Sequence, residues 1–396
     1  MAKKLLQDKK IQKGLEFLKL DEEKTLQQQI KICEVPSPTF KEEKRAQYYY
    51  QLLLESGVDK AEIDDMGNVK GVLRGTEGTP KTITLAHIDT IFPEDTDVTV
   101  KERDGILYAP GLSDNSSSLA AQLSVIRAIK HADLKLKGDI VFTANVCEEG
   151  LGDLKGAKFL FDNESVDYSV VIDGTSMGID GIVYRATGSK RYEINIKAEG
   201  GHSFNDFGKP SAIHALGRAI AKISHIEVSK EPKTTFNVGV IRGGTTVNTI
   251  ASEASMLIDM RSNDAQSLAG LEDKIIGCVK ETIAEVNSDI DTDTQKLSVD
   301  FKKVGDRPAG SQDKDSQLIK TAKEVTQALG IEPSLKKPSS TDANVPISKG
   351  IPAISISGGG IGGNVHTEDE WFDPTDAFLG AQRLFLLLAS LAKLDS

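Results

Sequence analysis

Short apolar runs alternate with stretches of helical spacing along the first half of this chain. Ile63 to Leu73, Thr82 to Ala86, Ile140 to Val146 and Tyr168 to Ile172 read as strands. Ser116 to Ile129 places Leu119, Ala120, Leu123, Ile126 and Ala128 at helical spacing. Another helix fits between the last two strands. Residues 21–56 read as helical, broken at Val35-Pro36-Ser37-Pro38, because proline lacks an N–H and restricts the residue before it. The N-terminal MAKKLLQDKKIQKGLEFLKL reads as a short amphipathic or frayed helix. The alternation predicts an α/β fold, a mixed and mainly parallel sheet with helices on both faces.

The pattern changes near Gly188. Arg191 to Ala198 alternates with period 2, as a half-buried strand does. A helix over Pro210 to Ile223, strands over Phe236 to Ile241 and Ala254 to Met260, a helix over Leu268 to Val286 and a strand over Leu297 to Phe301 follow. This order predicts an α+β two-layer domain inserted into the first. The expected division is 1–186 with 304–396, and 187–303. Asp306 to Ser316 reads as the return linker, followed by a helix over Gln317 to Leu329, a strand over Ile351 to Ser357 and a helix over Thr375 to Leu391.

A chain of 396 residues is long for one core, which agrees with two domains. No apolar run approaches the roughly 18–20 residues of a membrane span, and the N-terminus has no continuous apolar signal region. Cys33, Cys147 and Cys278 are widely spaced and form no disulfide framework, so a cytoplasmic setting is expected. The net charge of −11 argues against nucleic acid and is compatible with an acidic metal cluster.

The candidate chemistry lies just past the apolar runs. Thr82–Ala86 ends in His87-Ile88-Asp89, Ile140–Val146 in Glu148-Glu149 after Cys147, and Tyr168–Ile172 in Asp173. Ile351–Ser357 leads through a glycine loop to His366, and Asp114 sits in a Gly/Ser-rich turn before a helix. Ligands of open α/β sheets bind outside the carboxyl ends of the strands, and these residue types hold divalent metal. A histidine with a carboxylate two positions on can bind metal through one ring nitrogen and have the other held by a carboxylate. Of the adjacent Glu148 and Glu149, one can ligate while the other takes a proton from water. Each feature also has an ordinary reading. His87 and Asp89 could be a surface histidine and a turn aspartate, Asp114 a helix cap, Asp173-Gly174 a turn, and the glycine run a flexible loop. The conjunction of five is what points to a metal centre.

The segments ITLAHIDT, GLSDNSSSLAA, VCEEGLGDLKGAK, VIDGT, EGGHSF, GGTTVNTI, DMRS, SSTDANVPISKGIPAISI and GGNVHTEDEW together resemble the M20 family of dinuclear-metal peptidases and deacylases, most closely its peptidase T-like branch. The resemblance runs from about residue 30 to the end of the chain. It implies a zinc-peptidase-like fold with the inserted domain as lid and dimerisation domain. It implies two divalent ions, zinc foremost with cobalt or manganese accommodated. His87 and Asp173 would hold one, Glu149 and His366 the other, and Asp114 would bridge. Asp89 would orient His87, Glu148 would be the general base, and His202 would stabilise the oxyanion. Asn248 and Arg261 would bind substrate, and Asp114–Asn115 would be a cis peptide. The implied activity is hydrolysis of small peptides, as an aminopeptidase on di- and tripeptides, by a homodimer. N-acyl amino-acid deacylation or carboxypeptidase action is the alternative. Capping, turn and ion-pair roles stand beside those of His202, Asn248 and Arg261. The chain departs from the family's usual Asp-x-Lys-x-Gly at the bridging position, reading Asp114-Asn115-Ser116-Ser117-Ser118.

Other classes fit less of the chain. Gly174-Thr175-Ser176-Met177-Gly178, with Asp342 and His366 behind it, has the order of an α/β-hydrolase triad, but no helix pattern follows Ser176. Gly358 to Gly363 satisfies a dinucleotide fingerprint without opening a helix. A metal-bearing, inactive peptide-binding scaffold would leave the filled catalytic positions without a purpose.

Overall fold

The computed structural model describes residues 2–290 and 294–395. The chain divides into two compact units, Met1–Ala186 with Ser311–Ser396, and Thr187–Gly310.

The larger unit is built on a six-stranded sheet of β1 (Lys60–Ile63), β2 (Val69–Leu73), β3 (Gly78–His87), β4 (Gly138–Asn145), β5 (Tyr168–Ile172) and β6 (Ala353–Ile356). Their order is β1-β2-β4-β3-β5-β6. The block β4-β3-β5-β6 is parallel, and β1 and β2 run antiparallel at one edge. Helices cover both faces. Ala86, Phe142, Ala144, Ile172 and Ile354 pack on one face with Leu119, Leu123 and Ile126 of the helix Ser117–His131 and Leu384, Phe385 and Leu388 of Phe378–Ala392. Ile83, Leu85, Val141 and Val171 pack on the other with Ala157 and Leu160 of Lys155–Asn163. The period-2 alternation within β3 thus feeds two different cores. The register pairs His87 with Asn145, Leu85 with Val171 and Ser355 with Val171, so all four parallel strands end at one edge.

The structure differs from the sequence reading in particular places. Ile63 to Leu73 is two strands, because the Asp64 carboxylate accepts the N–H groups of Met66 and Asn68 and closes a turn. The last strand of the insertion continues to Arg307, into the expected linker. A small sheet of Ile361–Gly363, Trp371–Asp373, Ile106–Tyr108 and Lys101–Arg103 was not anticipated, since three-residue strands leave no periodicity to read. The glycine run is packed rather than loose. A Cβ at Gly359, where φ is +105°, would meet the Ala377 carbonyl oxygen at 2.1 Å, so only glycine fits. Among the described residues no helix is long and apolar enough to cross a membrane.

The smaller unit is a four-stranded antiparallel sheet ordered Thr234–Gly243, Glu253–Ser262, Gly188–Lys197, Ser298–Arg307. The helices Ala212–Ser224 and Ala265–Ser288 pack against one face. Tyr192, Ile194, Ile196, Met256, Ile258 and Met260 form its core with Leu216, Ala219 and Ile275.

Candidate metal centre

Five side chains meet at the carboxyl edge of the parallel block. Asp114 lies at the middle, and each of its oxygens faces a different imidazole. Oδ1 is 2.9 Å from His87 Nε2, and Oδ2 is 3.3 Å from His366 Nε2. Asp173 Oδ1 stands 3.8 Å from His87 Nε2, and Glu149 Oε1 is 2.8 Å from His366 Nε2. Ligand atoms of His87, Asp114 and Glu149 lie within 4.8 Å of one another.

Local structure explains how each side chain arrives. His87 ends β3 on the Leu85 face. Its Nδ1 faces the Asp89 main-chain oxygen at 3.0 Å, nearer than the Asp89 carboxylate at 3.7 Å. That carboxylate accepts the N–H groups of Glu148 and Glu149, each at 3.0 Å, and the Thr39 hydroxyl at 2.9 Å. Asp89 therefore ties the exit of β3 to the exit of β4. The buried Arg45 guanidinium donates to the carbonyls of Cys33, Val35 and Ile88 and fixes the same exit from behind. Asp114 sits in the turn Leu112–Ser116 with φ −116° and ψ 93°, outside the helical region, and Asp114–Asn115 is cis as expected. The Asn115 side chain donates to the Ile172 carbonyl and accepts from Gly174 N–H, both at 3.0 Å, which joins this turn to the exit of β5.

The electrostatics ask for cations. Among the described residues, Asp89, Asp114, Glu149 and Asp173 have no lysine or arginine ion pair; histidine stands within ion-pair distance of each. Burial lowers the His87 pKa, but Asp114 and Asp173 outweigh it and hold the imidazole well above its usual range. Asp114 and Glu149 raise His366 to about 10. Burial raises Asp173, and burial also opposes ionisation of Asp114, whose two histidine partners nonetheless hold it below the usual range. With Nδ1 of His87 directed at a carbonyl, Nε2 can face two carboxylates only by carrying a proton or by binding a cation. The same holds for Nε2 of His366. The mixed imidazole and carboxylate set fits divalent zinc, cobalt or manganese.

Glu148 is buried beside Glu149. His202, Asn248 and Arg261 belong to the smaller unit. The exposed His202 receives the N–H groups of Phe204 and Asn205 at Nδ1, at 3.3 and 3.4 Å, which leaves its proton on Nε2. Asn248 accepts from the Thr246 hydroxyl, and Arg261 donates to Asp259, which Arg191 also pairs. Asp342 is bonded to Asn145 and His366 to Glu149, so the Ser176, Asp342 and His366 order forms no triad. Sequence reasoning missed Glu370. Its buried carboxylate accepts three main-chain N–H groups of the Asp114 turn, yet it follows the exposed Thr367, Glu368 and Asp369 with no periodic cue to its burial.

The sequence pattern of peptidase family M20/M25/M40 matches residues 83–390. The chain is 25% identical over 390 residues to the uncharacterized protein YqjE of Bacillus subtilis, covering 94% of this chain and 100% of that one. Aminopeptidase PepT from Bacillus cereus superposes with a TM-score of 0.76 at 22% identity, covering 94% and 99%. A tripeptidase from Staphylococcus aureus superposes with a TM-score of 0.77 at 23% identity, covering 94% and 98%.

Proposed function

The chain belongs to peptidase family M20/M25/M40, and from that premise we propose that it is a dinuclear-metal aminopeptidase acting on di- and tripeptides. The observation that carries this reading is the position of Asp114, with one oxygen toward His87 and the other toward His366. His87 and Asp173 would hold one ion, Glu149 and His366 the other, and Asp114 would serve both, with zinc as the metal. When bound, the pair of ions supplies Lewis acidity and lowers the pKa of water toward neutrality.

The chain's own groups do the rest. Glu148 takes the proton of the attacking water and delivers it to the leaving nitrogen of the amide. Asp89 holds the main chain of Glu148 and Glu149 and, through its carbonyl, the His87 ring. His202 donates from Nε2 to the developing oxyanion, and Arg261 and Asn248 grip the substrate main chain or carboxylate. The relatives aminopeptidase PepT and the S. aureus tripeptidase support the choice of small peptides with a free amine. Free-amine tripeptides are expected to be cleaved at least about 100-fold more efficiently than their N-acetylated forms, since a site built for an amine rejects an analogue that leaves its polar groups unpaired. The comparison of kcat/KM values decides. Preference for the acetylated series would replace this reading with a deacylase or carboxypeptidase on the same metal site.

Homodimerisation through the smaller unit is part of the proposal. Among the described residues, its edge strand Thr234–Gly243 pairs on one side only, and Val240, Ile241, Ile213, Phe204, Phe207 and Val247 are exposed. An unpaired strand edge that carries exposed apolar side chains, Val240 and Ile241, invites pairing with its own copy about a twofold axis. Sedimentation velocity is expected to give a dimer for the wild-type chain and a monomer for Ile241→Lys. A wild-type chain that is monomeric at micromolar concentration contradicts it.

A further inference from the structure

We propose that Glu370 is a positioning residue for Asp114, acting from the arm that also carries His366; this rests on the reading of Asp114 as the shared ligand. The geometry is a carboxylate clamp on a turn. Glu370 Oε1 accepts the N–H groups of Ser113 at 2.7 Å and Asp114 at 2.9 Å, and Oε2 accepts that of Gly111 at 3.0 Å. The Glu370 main-chain oxygen accepts the Ala109 N–H at 3.1 Å. Its side chain is fully buried, at 0% exposure.

The turn needs such an acceptor. Leu112–Ser116 is not regular helix, because Asp114 and Asn115 have non-helical torsions. In a buried turn of this kind a main-chain N–H has neither a helical acceptor nor water. One carboxylate, through its two oxygens, satisfies three of these donors. Rotation of the Asp114 peptide would break the bond made by its own N–H, so the clamp restrains the direction in which the Asp114 side chain leaves.

The clamp also links two arms of the site. Glu370 lies four residues after His366, and Trp371 and Phe372 pair with Tyr108 and Leu107, just ahead of the Asp114 turn. Between His366 and Glu370 the loop is closed on itself, with Thr367 N–H and hydroxyl donating to the Asn364 carbonyl and Glu370 N–H to the Thr367 carbonyl. The strand pairing sets the spacing of the two segments, and the carboxylate sets the orientation of the turn. Asp114 and His366 are thereby presented to each other by one rigid connection rather than by two independent loops.

The test compares Glu370→Gln with Asp114→Asn in the full chain. A glutamine keeps the volume but turns an NH₂ group toward main-chain donors, so it cannot accept all three bonds. Glu370→Gln is expected to fold, to bind zinc about 10- to 100-fold more weakly in competition with a chromogenic chelator, and to lose kcat with KM little changed. In the metal-free protein, amide exchange of the segment 109–118 is expected to quicken while exchange of β3 stays as in wild type. Zinc affinity and 109–118 exchange both within twofold of wild type would overturn the proposal. Weaker kcat with unchanged zinc affinity would also overturn it. If Glu370→Gln does not fold, Glu370→Asp, which keeps the carboxyl group and shortens the reach, takes its place under the same criteria. Failure of both to fold makes Glu370 a folding residue and overturns the positioning role. Asp114→Asn separates the two levels. If it binds both zinc ions as tightly as wild type, the reading of the metal site fails, whatever Glu370 does.

Discussion

Glu148→Gln is expected to lower kcat by about 10²- to 10⁴-fold, the span usual for loss of a positioned general base, while both metal ions stay bound. Glutamine has the shape of glutamate and suits the same buried position, but it cannot take a proton from water. The turn should survive, because Asp89 holds it through the main-chain N–H groups of Glu148 and Glu149, not through the Glu148 side chain. Glu149 still faces His366. Steady-state kinetics on a tripeptide, run beside metal analysis of the same sample, checks this. Near-full turnover in metal-loaded protein removes the proposed role. Loss of one metal ion instead would make Glu148 a ligand.

Asp114→Ala is expected to weaken both metal ions together and to reduce turnover at least about 100-fold, more than the loss of an outer-shell contact. Removing a ligand to one ion alone would spare the other. Removing a carboxylate whose two oxygens face two histidines cannot. Proton linkage adds a signature. Without metal, Asp114 and Glu149 raise His366 from 6.5 to about 10. That interaction stabilises the metal-free fold fully below the unfolded value near 6.5 and fades as pH rises through about 10. Asp114→Ala should therefore destabilise the metal-free protein more at pH 6 than at pH 10. Metal must displace the same protons, so wild-type affinity should climb with pH across this window. Thermal denaturation and zinc titration at several pH values read both effects.

The parallel block was legible because its strands are continuous apolar runs, and because metal-binding residue types stand at their ends. That rule puts His87, Asp173 and the Glu148–Glu149 pair at strand ends; the family resemblance, not the rule, separates Glu149 as ligand from Glu148 as base. Asp114 and His366 were harder, since a Gly/Ser turn and a glycine run have ordinary uses; the order of motifs along the chain supplied what spacing could not. Packing explains the glycine run, where Gly359 sits against the Ala377 carbonyl, and no sequence pattern encodes that contact. Asp89 shows the limit of period-2 reasoning. It shares a direction with His87 in an ideal strand, yet β3 ends at His87, and past that point the carboxylate turns to the Glu148–Glu149 main chain. Glu370 was invisible for a different reason, since its three partners lie 256 to 259 positions away, joined to it by strands too short to leave a pattern.

Anomalous diffraction from crystals grown with zinc tests most directly whether Asp114 is shared between two ions. Two peaks about 3.5–4 Å apart, the spacing usual for paired metal sites, are expected on either side of the Asp114 carboxylate, one beside His87 and Asp173 and one beside Glu149 and His366. A single peak, or two that do not both touch Asp114, would contradict the account.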